Sequence, residues 1–147
     1  MSWLFEISAT LFASLFAGAA LYINLVEHPA RLSCGIPLAI TEFAPSYKRA
    51  TVLQVSLSIL SFITSLVSWL ANSNILWIIG GLLILLVIPY TLIFILPTNN
   101  KLLQPSLDKQ SEEAKNLLLK WGRLHAVRTI LSIAAVLVFL YALTSKD

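Results

Sequence analysis

One stretch without a charged residue decides the fold. It runs from Ala50 to Asn100 and reads ATVLQVSLSILSFITSLVSWLANSNILWIIGGLLILLVIPYTLIFILPTNN. A membrane-spanning helix needs about 20 mainly apolar residues to cross about 30 Å of hydrocarbon. These 51 residues are therefore long enough for two crossings, and the polar tetrad Ala71-Asn72-Ser73-Asn74 divides them into two arms. The stretch predicts a tight helical hairpin.

Two shorter charge-free runs flank this hairpin, over residues 7–26 and 129–145. Together they predict four helices, near residues 4–26, 50–71, 75–96 and 111–143. Ser111, followed by Glu112 and Glu113, has the pattern of a helix N-cap with acids in the first turn. Pro29 is expected to cap or kink the first helix and Pro97 to end the third, with loops over 27–48 and after 97. Because every backbone polar group in lipid must be paired internally, these helices predict an all-α, antiparallel transmembrane four-helix bundle, with residues 1–147 forming one integral-membrane domain.

The composition excludes an ordinary soluble globule. The chain is 58% apolar and 12% charged, with a mean hydropathy of +0.85, whereas soluble domains have about 45–50% apolar and about 25% charged residues. The single cysteine, Cys34, excludes an internal disulfide and dithiol redox chemistry. No basic face is interleaved with aromatic residues, so nucleic acid is not expected as a partner.

The distribution of Lys and Arg predicts the orientation in the membrane. In a four-span chain, nine of the ten basic residues lie on the side of the two long connections, and only Lys146 lies on the side of the termini. By the positive-inside rule the long loops are cytoplasmic and both termini are exterior. Trp3, Trp69, Trp77 and Tyr141 then fall at the exterior ends, as an interfacial aromatic belt requires.

Polar residues near the cytoplasmic side form the candidate site. The first and fourth helices each carry three residues at i, i+4 and i+7: Asn24, His28 and Arg31, and Trp121, His125 and Arg128. Polar groups in hydrocarbon are expensive, and an inward cluster of them marks a functional site by default. For Arg31, Lys48 and Arg49, interfacial anchoring is the simpler interpretation.

The second helix carries a polar stripe that repeats every three or four residues. Its members are Thr51, Gln54, Ser58, Ser61, Ser65 and Ser68. Small hydroxyl residues allow helices to approach closely, so the stripe predicts tight packing inside the bundle. A polar path for water or substrate is the alternative.

Metal binding has weak support in the sequence. His28, His125 and Glu27 could form a set of two histidines and one carboxylate for a metal ion or haem iron. The spacing of this set runs across two helices, and no HxxxH or ExxH motif occurs. The sequence names no metal and no other cofactor, and it lacks the motifs of nucleotide and acyl chemistry.

Several motifs resemble those of the anthrone-oxygenase-like family of small four-helix membrane proteins. They are G-A-A-L-Y at 18–22, E-H-P-A-R at 27–31, Y-K-R-A at 47–50, P-T-N at 97–99 and W-G-R-L-H-A-V-R at 121–128. The likeness covers nearly the whole chain. Characterised fungal members of the family oxidise anthrones to anthraquinones, and most relatives have no assigned reaction.

The resemblance implies an oxygenation that uses O2 on a hydrophobic phenolic polycycle. It implies His28, His125, Arg128 and Asn99 as catalytic residues, with a histidine as base and with Arg128 and Asn99 stabilising an enolate oxygen. It places Asn24, Tyr47, Trp121 and Tyr22 against the substrate. A non-catalytic protein that binds a lipid or quinone, or that supports a partner membrane protein, is the alternative interpretation.

Overall fold

Four helices make up the described part of the chain. The structure is a computed structural model and describes residues 2–145, so Lys146, which the orientation argument uses, lies outside the described residues. The helices are α1 (Trp3–Ser33), α2 (Ile36–Asn72), α3 (Ile75–Leu102) and α4 (Glu112–Thr144), and each is long and apolar enough to span a membrane. Each of α1 and α3 packs against both α2 and α4, while the diagonal pairs touch little, so the helices form a four-cornered bundle.

The hairpin turn lies at the polar tetrad that predicts it. Ser73 adopts a left-handed conformation with φ 57° at the end of α2, and its N–H bonds to the Trp69 carbonyl at 2.7 Å. Asn74 caps α3, because its side chain accepts the Leu76 N–H at 3.0 Å. Ser111 caps α4 in the same way by accepting the Ala114 N–H at 3.1 Å, which confirms the predicted N-cap.

The expected loop over residues 27–48 was wrong, because almost all of it is helical. α1 continues to Ser33, and α2 begins at Ile36 after a short break in which Gly35 has φ +92°. Pro37 lies in the first turn of α2, where a backbone N–H has no helical partner to lose. Pro45 lies inside the same helix on its exposed side. The prolines are therefore accommodated within helices.

Two π-helical turns explain how α1 and α3 continue through Pro29 and Pro97. These turns are Ile23–Glu27 and Thr91–Ile95, and each ends two residues before its proline. A proline ring clashes with the carbonyl four residues earlier in a regular α-helix. The wider turn relieves this clash, since the next N–H bonds five residues back, from His28 to Ile23 and from Leu96 to Thr91. The prediction that Pro97 would end the third helix was therefore wrong. Pro29 was predicted to cap or kink the first helix; it does not cap it, since α1 continues to Ser33, but a π-helical turn lies just before it.

The core consists of two apolar clusters, and all four helices contribute to both. One cluster includes Phe16, Ile84 and Phe139, and the other includes Phe43, Ile95 and Trp121. Trp77 belongs to the first cluster, where it is fully buried and its ring centroid lies 5.4 Å from that of Phe139. Its expected place in an interfacial belt was therefore wrong.

The polar stripe of α2 faces the bundle interior, as predicted. Gln54 and the four serines at 58, 61, 65 and 68 are buried, and only Thr51 is partly exposed. Ser58 donates to the Ile84 carbonyl on α3 and Ser61 to the Ala9 carbonyl on α1, both at 2.9 Å. A methyl group on Gly81 would overlap Ser65 Oγ, so α2 and α3 approach as closely as small residues allow.

Replacing Ser61 with leucine is expected to destabilise the bundle. Ser61 is fully buried against the α1 backbone, so the larger side chain lowers the free energy of unfolding by about 1–3 kcal/mol through overpacking. SDS titration followed by circular dichroism measures this change. Ser56→Leu is the matched control, because Ser56 is exposed on the same helix. Equal stability of the two variants would contradict the assigned orientation of α2.

Candidate active site

The candidate site lies where the two apolar clusters meet, and Trp121 is at its centre. The Trp121 ring stacks on His125, with centroids 4.8 Å apart and planes inclined by 30°. On another side it contacts His28, with centroids 5.1 Å apart, and it meets Phe43 edge-on at 5.3 Å. The W-x-x-x-H spacing on α4 brings His125 to the indole ring, and the packing of α1 against α4 brings His28 to the same ring.

A network around Asn24 fixes the His125 ring. Asn24 Nδ2 donates to the Gly122 carbonyl at 3.1 Å, so its Oδ1 faces the other partners. That oxygen lies 2.6 Å from Thr129 Oγ1 and 2.8 Å from His125 Nδ1. An amide oxygen only accepts, so in the neutral ring Nδ1 carries the proton and Nε2 carries the lone pair. His125 is therefore oriented as a base.

Arg128 lies one helical turn along α4 from His125 and is also buried. It donates through Nη2 to Gln54 Oε1 at 2.5 Å, and its guanidinium carbon lies 5.6 Å from the centre of the Phe16 ring. The acceptor for Arg128 is therefore a side chain of α2, and not Asn99 or a backbone carbonyl of α3. Arg128 Nε and Gln54 Nε2 are buried donors without an acceptor among the described residues.

Two cavities adjoin this cluster. A small one of about 20 Å³ is lined by Trp121, His125 and Arg128 together with groups from α1 and α2. A larger one of about 90 Å³ lies mainly between α2 and α3. The four residues that line both are Tyr47, Thr51, Gln54 and Arg128. The arrangement therefore combines a histidine nitrogen with a free lone pair, a buried guanidinium group and an apolar space.

Arg31 is not an interfacial anchor in this structure, and that interpretation was wrong. Its side chain is almost fully buried, forms ion pairs with Glu27 and Glu42, and donates to Ser46 Oγ at 3.2 Å. Its guanidinium carbon also lies 5.7 Å from the centre of the Trp121 ring. Lys48 and Arg49, which have the same predicted role, are exposed.

The other predicted site residues fall into three groups. Tyr47 lines both cavities, and Trp121 and Asn24 lie within the cluster described above. His28 and Asn99 are buried but line neither cavity. Tyr22 is 56% exposed on the outer surface of α1, so the structure does not bring it to the site.

Sequence reasoning missed two residues that shape the site. Gln54 was interpreted as part of the packing stripe, although one long amide among small hydroxyls is a signal for a specific polar contact. Gly122 allows the His28 ring to lie against α4, since a methyl group there would be 2.7 Å from His28 Nε2. A single glycine in an amphipathic segment does not indicate that a side chain from another helix packs against it.

No metal-binding group is evident in the described part of the chain. Within residues 2–145, no three His, Cys, Asp or Glu side chains lie close enough together to hold a metal ion. Glu27 is the carboxylate of the metal-ligand set that the sequence suggested. Its side chain accepts hydrogen bonds from the side chains of Arg31 and Ser46.

These features define a small helical protein of the membrane type, with a buried histidine and a buried arginine that line one small cavity, and with a larger, mostly apolar cavity beside the arginine. The chain belongs to the anthrone oxygenase family, whose model matches residues 43–138, about two thirds of the sequence. The match includes Tyr47, Gln54, His125 and Arg128. No curated protein and no solved structure shows significant similarity to the chain.

Proposed function

We propose that the protein is a membrane-embedded oxygenase that converts an anthrone-like phenolic polycycle and O2 into a quinone and water. The family match supports the reaction class. The observation that carries the proposal is the orientation of the His125 ring. Asn24 Oδ1 accepts the His125 Nδ1 proton, and Arg128 lines the same small cavity as His125. A base with a fixed tautomer beside a buried cation suits the removal of a proton from carbon.

The proposed reaction balances within substrate and O2. His125 Nε2 takes one proton from the CH2 group opposite the anthrone carbonyl, and the electron pair moves onto the carbonyl oxygen. The enolate transfers electrons to O2, and recombination with the returning proton gives a hydroperoxide on that carbon. Loss of the second C–H proton breaks the O–O bond, which leaves a new carbonyl group and releases water.

Arg128 and Gln54 have the proposed role of stabilising the enolate oxygen. Both present a buried N–H donor without an acceptor among the described residues. A donor aimed at a developing oxyanion typically contributes about 10²–10³ in rate. Gln54 thus replaces Asn99 in the role that the resemblance suggests, and His28 supports Trp121 outside the cavities.

We also propose a multi-pass integral membrane protein with antiparallel helices, both termini exterior and the polar connections cytoplasmic. Antiparallel packing of α1 and α2 is supported by the 3.0 Å hydrogen bond from Asn72 at the end of α2 to Glu6 near the start of α1. A single domain over residues 1–147 is supported by the contribution of every helix to both apolar clusters.

Cysteine labelling tests this topology. In a Cys34→Ser background, cysteines introduced at positions 2 and 146 are expected to react with an impermeant maleimide added outside intact cells. In the unmodified chain Cys34, which is exposed near the break between α1 and α2, is expected to react only after permeabilisation. The reverse pattern would overturn the orientation.

A non-catalytic role in binding a quinone or lipid is the second candidate. The same unpartnered donors of Arg128 and Gln54 suit a quinone carbonyl as well as an enolate. In that case the cavity holds its ligand without turnover.

Oxygen uptake distinguishes the two candidates. The purified protein in lipid nanodiscs is given an anthrone, while O2 consumption and quinone absorbance are recorded. The expected result is one O2 consumed for each anthraquinone formed, well above the spontaneous oxidation in protein-free nanodiscs. A rate equal to that background would overturn the oxygenase proposal and favour the binding role.

A further inference from the structure

The larger cavity extends from the polar cluster to the outer surface of the bundle. Its walls are mostly apolar and include Val55 on α2 and Val87, Ile88 and Leu92 on α3. Leu92 is 58% exposed on a surface that faces hydrocarbon if the helices span a membrane. The cavity thus connects the bundle interior with the lipid-facing side of the gap between α2 and α3.

The inner end of this cavity is polar. Arg128 and Gln54 line it, and Arg128 Nε and Gln54 Nε2 are both donors without an acceptor among the described residues. An unmet buried donor costs about 1–3 kcal/mol, and more when the group is charged. A ligand that presents an acceptor oxygen to these two groups would remove that cost.

The backbone of α3 departs from a regular α-helix beside the cavity. Thr91 and Leu92 line the cavity and lie in the π-helical turn, and Pro89 precedes them. Since proline has no N–H, the Leu85 carbonyl loses its usual helical donor. π-Helical turns occur frequently at functional sites, where they displace side chains from their regular positions. Here the turn forms one side of the cavity opening.

We infer that the ligand reaches the site from the hydrocarbon layer, between α2 and α3 at Val55 and Leu92. The ligand is a flat apolar molecule with an acceptor oxygen at one edge. That it is a ring compound rests on the proposed function. A cavity of about 150 Å³ holds benzene, and this one has about 90 Å³. Only part of the ligand is therefore enclosed, and the rest lies in the gap beside Leu92.

Binding of anthraquinone tests the inference without requiring turnover. Protein in nanodiscs is titrated with anthraquinone, and the wild type is compared with Val55→Trp, which fills the gap. Binding is expected to weaken by about tenfold or more, the change that 1.4 kcal/mol produces. Val52→Trp is the matched control on α2, since Val52 is exposed and does not line this cavity. The control is expected to bind as the wild type does.

A second pair of variants keeps the test valid if Val55→Trp fails to fold. Leu92→Trp places the ring at the opening on an exposed position, and Ile93→Trp places it on the adjacent exposed residue outside the cavity. Only Leu92→Trp is expected to weaken binding. Equal binding by Leu92→Trp and Ile93→Trp would overturn the lateral route.

The outcomes also separate this inference from the oxygenase proposal. Anthraquinone binding that Leu92→Trp blocks, without O2 uptake by the wild type, would support the route and overturn the oxygenase. O2 uptake that Leu92→Trp leaves at the wild-type rate would overturn the route and support the oxygenase. Binding that phospholipid acyl chains displace, with no preference for the quinone, would overturn the ring class of the ligand.

Discussion

His125→Ala is expected to abolish quinone formation while the bundle remains assembled. The His125 Nδ1 proton is held by Asn24 at 2.8 Å, and the substitution removes the one lone-pair nitrogen that this network orients. A positioned general base typically contributes about 10²–10⁴ in rate. The expected loss of kcat in the O2-uptake assay is of that size.

The interpretation of this loss requires a control for folding. Ser68→Ala also removes a buried polar group, but Ser68 Oγ donates only to the Thr64 carbonyl of its own helix at 2.9 Å, away from both cavities. This variant is expected to retain full activity, and both variants should unfold in SDS cooperatively. A His125→Ala protein that retains more than about a tenth of the wild-type kcat would rule out His125 as the base, given the usual size of this effect.

Arg31→Met is expected to cause the largest loss of stability. The Arg31 side chain is 3% exposed and is ion-paired with Glu27 and Glu42, whose side chains are 26% and 43% exposed. Removing one partner of a buried ion pair costs about 3–5 kcal/mol because an uncompensated charge remains. Since both carboxylates retain contact with solvent, we expect about 3 kcal/mol, at the lower end of that range.

SDS titration measures this loss, and two further variants test its cause. Arg123→Met is the matched control, because Arg123 is exposed on α4. Its free energy of unfolding should change by at most about 0.5 kcal/mol. Adding Glu27→Gln and Glu42→Gln to Arg31→Met should restore part of the lost stability. If Arg31→Met and Arg123→Met are equally stable, the buried ion pairs make no net contribution.

The sequence predicts the helical hairpin, its turn and the start of α4 because the signals for these features are local. The charge-free stretch from Ala50 to Asn100, the turn at Asn72-Ser73-Asn74 and the Ser111 cap depend on neighbours within a few residues. The inward stripe of α2 follows from periodicity alone. Each of these features has the predicted form in the structure.

The site is less predictable because it depends on which side chains meet across helices. The i, i+4, i+7 spacing brings His125 and Arg128 to one face, but it does not show that Gln54, rather than Asn99, accepts from Arg128. The sequence also cannot show that Glu42 lies beside Arg31, because that contact depends on α2 beginning at Ile36. Because residues 27–48 were expected to form a loop, neither Glu27 nor Glu42 was predicted as a partner of Arg31.

The π-helical turn of α3 makes the length of this helix as important as its composition. Because the Leu96 N–H bonds to the Thr91 carbonyl five residues back, this turn holds one residue more than a regular α-helical turn, and a one-residue deletion within Thr91–Ile95 would restore regular geometry while every later residue of α3 kept its present face. A one-residue deletion in the regular part of α3 before this turn would instead rotate the later residues by about 100° around the helix axis, so Thr98, Asn99 and Leu102, which are now buried, would turn away from the bundle. The π-helical turn is therefore the place in α3 where the loss of one residue disturbs the orientation of the following segment least.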